Sequence, residues 1–256
     1  MSKVVIFDLK SGGIWWEQQL QLGAYSQAMR YPNGLLPRLD GACLLQVNAK
    51  GVTPTWLSQP RLEAVAGLFE AVKRLFDDQQ THGQVKITDT YQLFTEGEVK
   101  AYPRVTAILK AVLNKPALNG YLVKQAVSFT LEELVAKKLP PAELLSRFQS
   151  GLFNPLAGST AHMESRGEEG RTLHKCVEGW LVGNPPTIAP ENEWLTKAYH
   201  HFLSFAERHH LKLFEDWAEV KVWSPTLGFG GTLDFVATLE PCSQKCCEPW
   251  RIHGVA

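Results

Sequence analysis

The sequence predicts an α/β fold in which a small mixed β-sheet is flanked by helices. Short β-branched and aromatic runs, typical of buried strands, are the first observation. We expect these strands at 3–10, 42–48, 217–223 and 232–239. Segments with apolar residues at helical spacing are the second observation. We expect these helices at 17–29, 61–78, 168–182 and 193–210.

The first strand ends in an acidic and a basic residue. Side chains alternate along a strand, so Asp8 and Lys10 point to the same side. A break at 11–13 separates the strand from a helix whose Gln21 and Tyr25 share one face. A carboxylate beside an amine, backed by Gln and Tyr, favours metal-assisted phosphodiester cleavage. An ordinary surface ion pair is the alternative.

The middle of the chain gives weaker local signals. Three polar or Pro- and Gly-containing segments are predicted to lack regular structure, at 48–54, 77–86 and 151–165. A hairpin is predicted over 87–102 with its turn near Glu96. Thr130 followed by Glu133 is a capping-box pattern that predicts the start of a helix.

Three further polar residues lie in apolar surroundings. His174 lies at the edge of an apolar helical stripe, where a hydrogen-bonded structural histidine is the alternative to a ligand. Asp234 interrupts a buried strand, and a buried carboxylate needs a partner, a metal or a shifted pKa. Glu219 lies in the neighbouring strand, where a salt bridge is the alternative. Gly230 and Gly231 predict that another segment approaches this backbone closely.

Bulk properties limit the partners. The chain has 256 residues, 45% of them apolar, which is enough for a real core. Lysine plus arginine equals aspartate plus glutamate, 26 each, so overall charge does not suggest a nucleic-acid partner. The largest local positive excess is at 103–147, where seven basic residues face three glutamates. A solvated helical face explains that excess equally well.

No apolar run approaches the length of a bilayer-spanning helix, so no membrane partner is predicted. The five cysteines, an odd number without a signal-peptide pattern, favour a reducing, cytoplasmic location. Cys242, Cys246 and Cys247 lack the spacing of a zinc site, and 241–256 is predicted to be an unstructured tail.

Together these residues resemble the RecB-like branch of the PD-(D/E)XK nuclease superfamily. The resemblance is carried by Gly170-x-x-x-His174, Glu219, Gly231-Thr232-x-Asp234, Asp8-x-Lys10 and Gln21-x-x-x-Tyr25. The segments 102–118 and 220–237 most resemble the mitochondrial genome maintenance exonuclease group and its bacterial and phage relatives. The resemblance covers nearly all of 1–240.

The order of the motifs departs from that family, in which the D-x-K and Q-x-x-x-Y motifs come last. The resemblance therefore implies a circularly permuted restriction-endonuclease-like core. Residues 1–80 would be its usual C-terminal half, 81–90 a linker and 91–240 its usual N-terminal half, with the first and last strands side by side. Two alternatives are halves of two successive nuclease copies completed between molecules, and a misassembled or truncated reading frame.

The resemblance also implies roles. The implied metal ligands are Asp8, His174, Glu219 and Asp234. The implied catalytic residues are Asp8, Lys10, Gln21, Tyr25 and Asp234, with Lys10 as the catalytic lysine. Carboxylates are hard oxygen ligands suited to Mg²⁺ or Mn²⁺.

The implied activity is hydrolysis of DNA phosphodiester bonds by an exonuclease, from single-stranded ends, in DNA repair, recombination or phage DNA processing. The strand is expected along 103–147, where Tyr121 and Phe129 either stack on bases or belong to the core. A DNA-binding module or gene fragment without activity is the competing class, and it requires that Asp8 and Asp234 fail to align. Sequence-specific restriction uses the same core and is the third alternative.

Overall fold

The computed structural model describes residues 2–240 except 33, 87–88, 96, 114–115, 139 and 190. The predicted tail and its three cysteines lie outside the described residues. The strands are β1 (Lys3–Lys10), β2 (Met29–Arg30), β3 (Gly41–Asn48), β4 (Gly51–Ser58), β5 (Thr90–Thr95), β6 (Glu98–Pro103), β7 (Lys212–Ser224) and β8 (Phe229–Leu239). The helices are α1 (Trp16–Ser26), α2 (Gln59–Thr81), α3 (Val105–Val112), α4 (Pro116–Lys137), α5 (Pro141–Gln149), α6 (Leu156–Leu181) and α7 (Glu193–Arg208).

A six-stranded sheet confirms the α/β class with a mixed sheet. Its order is β2-β7-β8-β1-β3-β4, and β5 and β6 form a separate hairpin. The central strand β1 runs parallel to β3 and antiparallel to β8. Lys3 is the partner of Leu239 in that register, so the first and last described strands lie side by side.

The core explains why β1 is central. Its residues Val5, Ile6 and Phe7 are fully buried. Phe7 stacks on Phe235 of β8 with ring centroids 4.8 Å apart. One face of the sheet packs against the apolar stripe of α7, which includes Phe202 and Phe205. The α1 helix packs closely on α2 at Gly23, where an added Cβ would lie 2.7 Å from the Val65 backbone. These contacts hold both the strand end and α1 in place.

Two segments predicted to be irregular extend regular elements instead. The turn predicted at 48–54 belongs largely to β4, where Pro54 is tolerated because β4 is an edge strand. The irregular segment predicted at 77–86 begins later, because α2 continues to Thr81. An (i, i+4) pair between Lys73 and Asp77 supports this last part of the helix.

Two further helical predictions were wrong in their boundaries. The loop predicted at 151–165 is mostly the start of α6, whose polar composition concealed a helix with Arg166 paired to Glu169 at 2.8 Å. Thr130 does not start a helix. It lies within α4, where its hydroxyl donates to the Ala126 carbonyl instead of capping.

The chain forms two compact units. One contains residues 1–112 and 172–256, and the other contains 113–171 with α4, α5 and the first part of α6. All seven predicted site residues belong to the first unit. The assignment of 1–80 and 91–240 as two halves of a nuclease core is a separate matter and stays a prediction. Among the described helices, none combines the length and the apolar character that crossing a bilayer requires.

Candidate metal centre

The candidate site lies where the β1–β8 ladder ends. The last paired residues are Phe7 and Phe235, so the next residues on each strand are Asp8 and Asp234. The Leu9 amide donates to Asp234 Oδ2 at 2.6 Å. Carboxylates that are far apart in the sequence therefore meet at one strand end.

Lys10 and Asp8 form a tight ion pair. The Lys10 ammonium lies 3.0 Å from Asp8 Oδ1 and 2.8 Å from Oδ2. Asp8 is only 2% exposed, and its Oδ2 is a buried atom whose contact with Lys10 lacks hydrogen-bond geometry. Burial lowers the pKa of Lys10, but the charges of Asp8 and Asp234 outweigh burial, so the net pKa lies above its usual value. Lys10 is therefore a cation, and the Asp8 Oδ2 beside it accepts no hydrogen bond.

Glu219 reaches the site through an irregularity in β7. The β7–β8 register shifts between Leu213 and Ala218. Beyond that shift, Glu219 lies opposite Asp234 and has a left-handed backbone with φ +48°. Bulges and left-handed residues of this kind redirect a side chain at a conformational cost.

His174 comes from α6 and is oriented by the main chain of β1. Its Nε2 lies 3.0 Å from the Leu9 carbonyl, which can only accept, so Nε2 is the donor. Its Nδ1 faces Asp234 Oδ1 at 3.7 Å and Glu219 Oε1 at 3.8 Å. Burial lowers the pKa of His174, but the nearby carboxylates of Glu219, Asp234 and Asp8 outweigh burial and raise it. Without a cation, a proton on Nδ1 partly balances the carboxylates.

The donor set fits a divalent cation. Ligand atoms of His174, Glu219 and Asp234 lie within 4.8 Å of one another. Asp8 Oδ2, a buried oxygen beside the Lys10 ammonium, lies at the same strand end. Burial and then the charge of Asp8 raise the pKa of Asp234 to about 7. Carboxylates forced together in this way favour a bound cation. Carboxylate oxygens and an imidazole nitrogen are ligand types that bind divalent cations in proteins.

Gln21 and Tyr25 stand behind this centre on α1. Both are buried, and Gln21 Nε2 donates to the Tyr25 hydroxyl at 2.9 Å. Burial, then the nearby charge of Asp8, raises the pKa of Tyr25, so the phenol stays protonated. The Tyr25 ring packs against Gly231, where an added Cβ would lie 2.5 Å from Cε1. The sequence prediction of a close approach at these glycines is confirmed.

Gly231→Ala is expected to displace the Tyr25 ring, because a buried aromatic ring cannot move away cheaply. Overpacking of this kind costs about 1–3 kcal/mol of the free energy of unfolding. Urea unfolding of the purified chain measures it. Gly67→Ala is the matched control, since its Cβ meets nothing within 4 Å, and there helix propensity predicts a small gain. Equal stability of the two variants would contradict the prediction.

Glu219 should tolerate glycine better than alanine. Both substitutions remove the carboxylate, but a left-handed backbone costs an L-residue about 1–2 kcal/mol that glycine does not pay. Thermal unfolding is therefore expected to rank Glu219→Gly above Glu219→Ala. At Lys221, an exposed strand residue without a positive φ, the ranking should reverse. If alanine is more stable than glycine at position 219 as well, residue 219 is unstrained.

The sequence patterns did not predict Tyr91 of β5 as a residue near the site. Its hydroxyl lies 2.6 Å from Thr232 Oγ1, between the Gly231 and Asp234 positions of β8. The Arg104 guanidinium lies 4.6 Å from the Tyr91 ring centroid and pairs with Asp89 at 2.8 Å. The glycine at 230 was the available signal, because Tyr91 packs on it. The sequence did not show which segment would approach.

The two predicted stacking aromatics belong to the second unit. Phe129 stacks on Phe153 with centroids 5.8 Å apart, within the second unit. The side chain of Tyr121 lies outside the described residues. The seven predicted site residues, in contrast, all lie on elements that meet at the end of β1.

Comparison of the chain with protein-family models, characterised proteins and solved structures found no match.

Proposed function

We propose that the protein is a metal-dependent deoxyribonuclease of the RecB-like PD-(D/E)XK kind. The observation that carries the proposal is the meeting of Asp8, Lys10 and Asp234 around the main chain of Leu9, whose carbonyl also binds His174. These residues come from opposite ends of the sequence. The non-catalytic alternative required that Asp8 and Asp234 fail to align, and their common link to β1 argues against it.

Circular permutation is part of the proposal. The D-x-K strand β1 and the GT-x-D strand β8 are antiparallel neighbours. A short turn could join such strands in a chain with the usual motif order. We propose further that the two strands of one chain complete the site within a molecule.

The roles follow from the contacts. Asp8, Asp234, His174 and Glu219 would hold a divalent ion, and the ion would neutralise the charge that develops on the phosphate. Lys10 is placed to donate to the attacking water or to a phosphate oxygen. Gln21 would position Tyr25, whose ring packs α1 against β8 at Gly231. The Leu9 main chain keeps His174 Nδ1 turned toward the carboxylates.

The proposed substrate is DNA with single-stranded ends, and the basic stretch 103–147 is the proposed contact for its backbone. Two of its charges already have acidic partners, since Arg104 pairs with Asp89 and Arg147 with Glu143 at 2.7 Å. The exposed residues Lys110, Lys124 and Lys138 are therefore the stronger candidates for phosphate contacts.

End-labelled single- and double-stranded DNA tests the proposal. Wild-type chain with Mn²⁺ or Mg²⁺ is expected to shorten the labelled strand from an end, and EDTA is expected to stop it. Mixing Lys10→Ala with Asp234→Ala tests where the site forms. Restored cleavage would show a site built between chains. If folded wild type with either ion cleaves no DNA, the nuclease proposal is wrong.

A further inference from the structure

Two exposed tryptophans follow the strand that carries Asp8 and Lys10. Trp15 is 48% exposed and Trp16 is 58% exposed. Trp16 is the first residue of α1, and Trp15 precedes it as the cap. Both rings leave much apolar surface in water, which is unusual for tryptophan and favours a contact outside this chain.

The position of the two rings is tied to the candidate metal centre. Gln46, the register partner of Lys10 in β3, donates to the Gly12 carbonyl at 2.6 Å. The turn after β1 is therefore held against the strand ends. An added Cβ at Gly13 would lie 3.6 Å from Trp15 Cζ2, so the indole packs over the bare backbone of that turn. Trp15 follows Lys10 by five positions, so their Cα atoms lie at most about 18 Å apart.

Cations border the same segment. Lys10 is the last residue of β1, and its ammonium pairs with Asp8 at 2.8 Å. Arg61 of α2 donates to Gln19 at 3.2 Å, one helical turn beyond Trp16. Glu17 is the acidic residue of that turn. Flat apolar rings beside cations suit a polyanion that carries flat bases better than they suit an apolar protein surface.

We propose that Trp15 and Trp16 form a stacking platform for the unpaired bases of a DNA strand whose end enters the metal centre. The inference rests on the proposed nuclease function and names the feature of the substrate that is recognised. Stacking tolerates any sequence, because every base has a π face, but it requires bases that are not paired. The platform therefore gives the site its preference for single-stranded ends.

Two oligonucleotides of equal length and charge test the platform, one of thymidines and one of abasic sugars. Binding to the full chain is measured by fluorescence anisotropy in EDTA, so that no cleavage occurs. Trp15→Ala and Trp16→Ala are each expected to weaken thymidine binding about tenfold, equivalent to about 1.4 kcal/mol. Binding of the abasic strand, which depends on phosphates alone, should change less than about twofold. Phe94→Ala, an exposed aromatic on β5, is the matched control and should change neither.

The outcomes separate the platform from the function on which it rests. Unchanged thymidine binding in both tryptophan variants, or an equal loss for both strands, overturns the platform while wild-type cleavage keeps the nuclease proposal. A wild-type dimer that becomes monomeric in the variants assigns the rings to self-association and also overturns it. A wild type that neither binds these strands nor cleaves DNA overturns both proposals.

Discussion

Lys10→Met is expected to lower the initial rate of Mn²⁺-dependent DNA cleavage by at least about 100-fold, the usual loss when a preorganised donor to developing charge is removed. Lys10 lies 2.8 Å from Asp8 at the strand end where the other candidate ligands meet. Methionine keeps the length and apolar stem of the side chain but cannot donate a hydrogen bond. The rate on an end-labelled single strand at saturating ion measures the change.

Lys73→Met is the matched control for this substitution. Lys73 is also buried, and its ammonium also contacts an aspartate, Asp77, at 2.6 Å. It lies on α2 and takes no part in the candidate centre, so its loss should affect stability and leave the cleavage rate close to that of wild type. Equal rates in the two variants would remove Lys10 from the mechanism.

Asp234→Asn is expected to stabilise the metal-free protein at about pH 8 and to abolish stabilisation by Mn²⁺. Burial and the charge of Asp8 raise the pKa of Asp234 to about 7, against an ordinary value of 3.8. The folded state therefore prefers the neutral carboxyl. The resulting destabilisation is absent below the unfolded pKa, grows as pH rises between the two values, and is complete above the folded pKa.

One pKa unit corresponds to about 1.4 kcal/mol, so the gain at about pH 8 is on the order of a few kcal/mol. Asparagine keeps an acceptor for the Leu9 amide but carries no charge. Urea unfolding in EDTA at about pH 8 and about pH 4.5 measures the gain, which should shrink toward the lower pH. Thermal unfolding with and without Mn²⁺ measures the loss of the metal effect.

Asp216→Asn provides a control of opposite sign. Asp216 is exposed, and its hydrogen bond with Arg30 lowers its pKa. Loss of that carboxylate should slightly destabilise the protein above its pKa and leave the response to Mn²⁺ intact. If Asp234→Asn behaves as Asp216→Asn does, the buried carboxylate at 234 is not held in place for a cation.

Local patterns were sufficient for four strands of the main sheet, β1, β3, β7 and β8, and for most candidate residues. The alternation at Asp8 and Lys10 and the lone carboxylate in the run around Asp234 depend only on neighbours in the chain. Residues Gln21 and Tyr25 share a face for the same reason, and their hydrogen bond follows from the helix. The prediction that these residues share one site came from the resemblance to a nuclease family, because periodicity does not specify which strands pair.

The features that were missed depend on contacts between distant segments. Tyr91 looks like any hairpin residue until β5 packs against β8. The left-handed backbone of Glu219 follows a register shift between β7 and β8, and no local pattern encodes either feature. The polar first part of α6 has no continuous apolar stripe, so periodicity did not distinguish it from a loop.

The main chain of Leu9 has a consequence for how this centre can be studied. Its N–H holds Asp234 and its carbonyl holds His174, while its side chain lies in the core. An alanine scan would register position 9 only as a packing residue. Replacing the Asp8–Leu9 amide by an ester would remove the donor to Asp234 and leave the side chain untouched. The alignment of both ligands thus depends on main-chain groups that side-chain genetics does not alter.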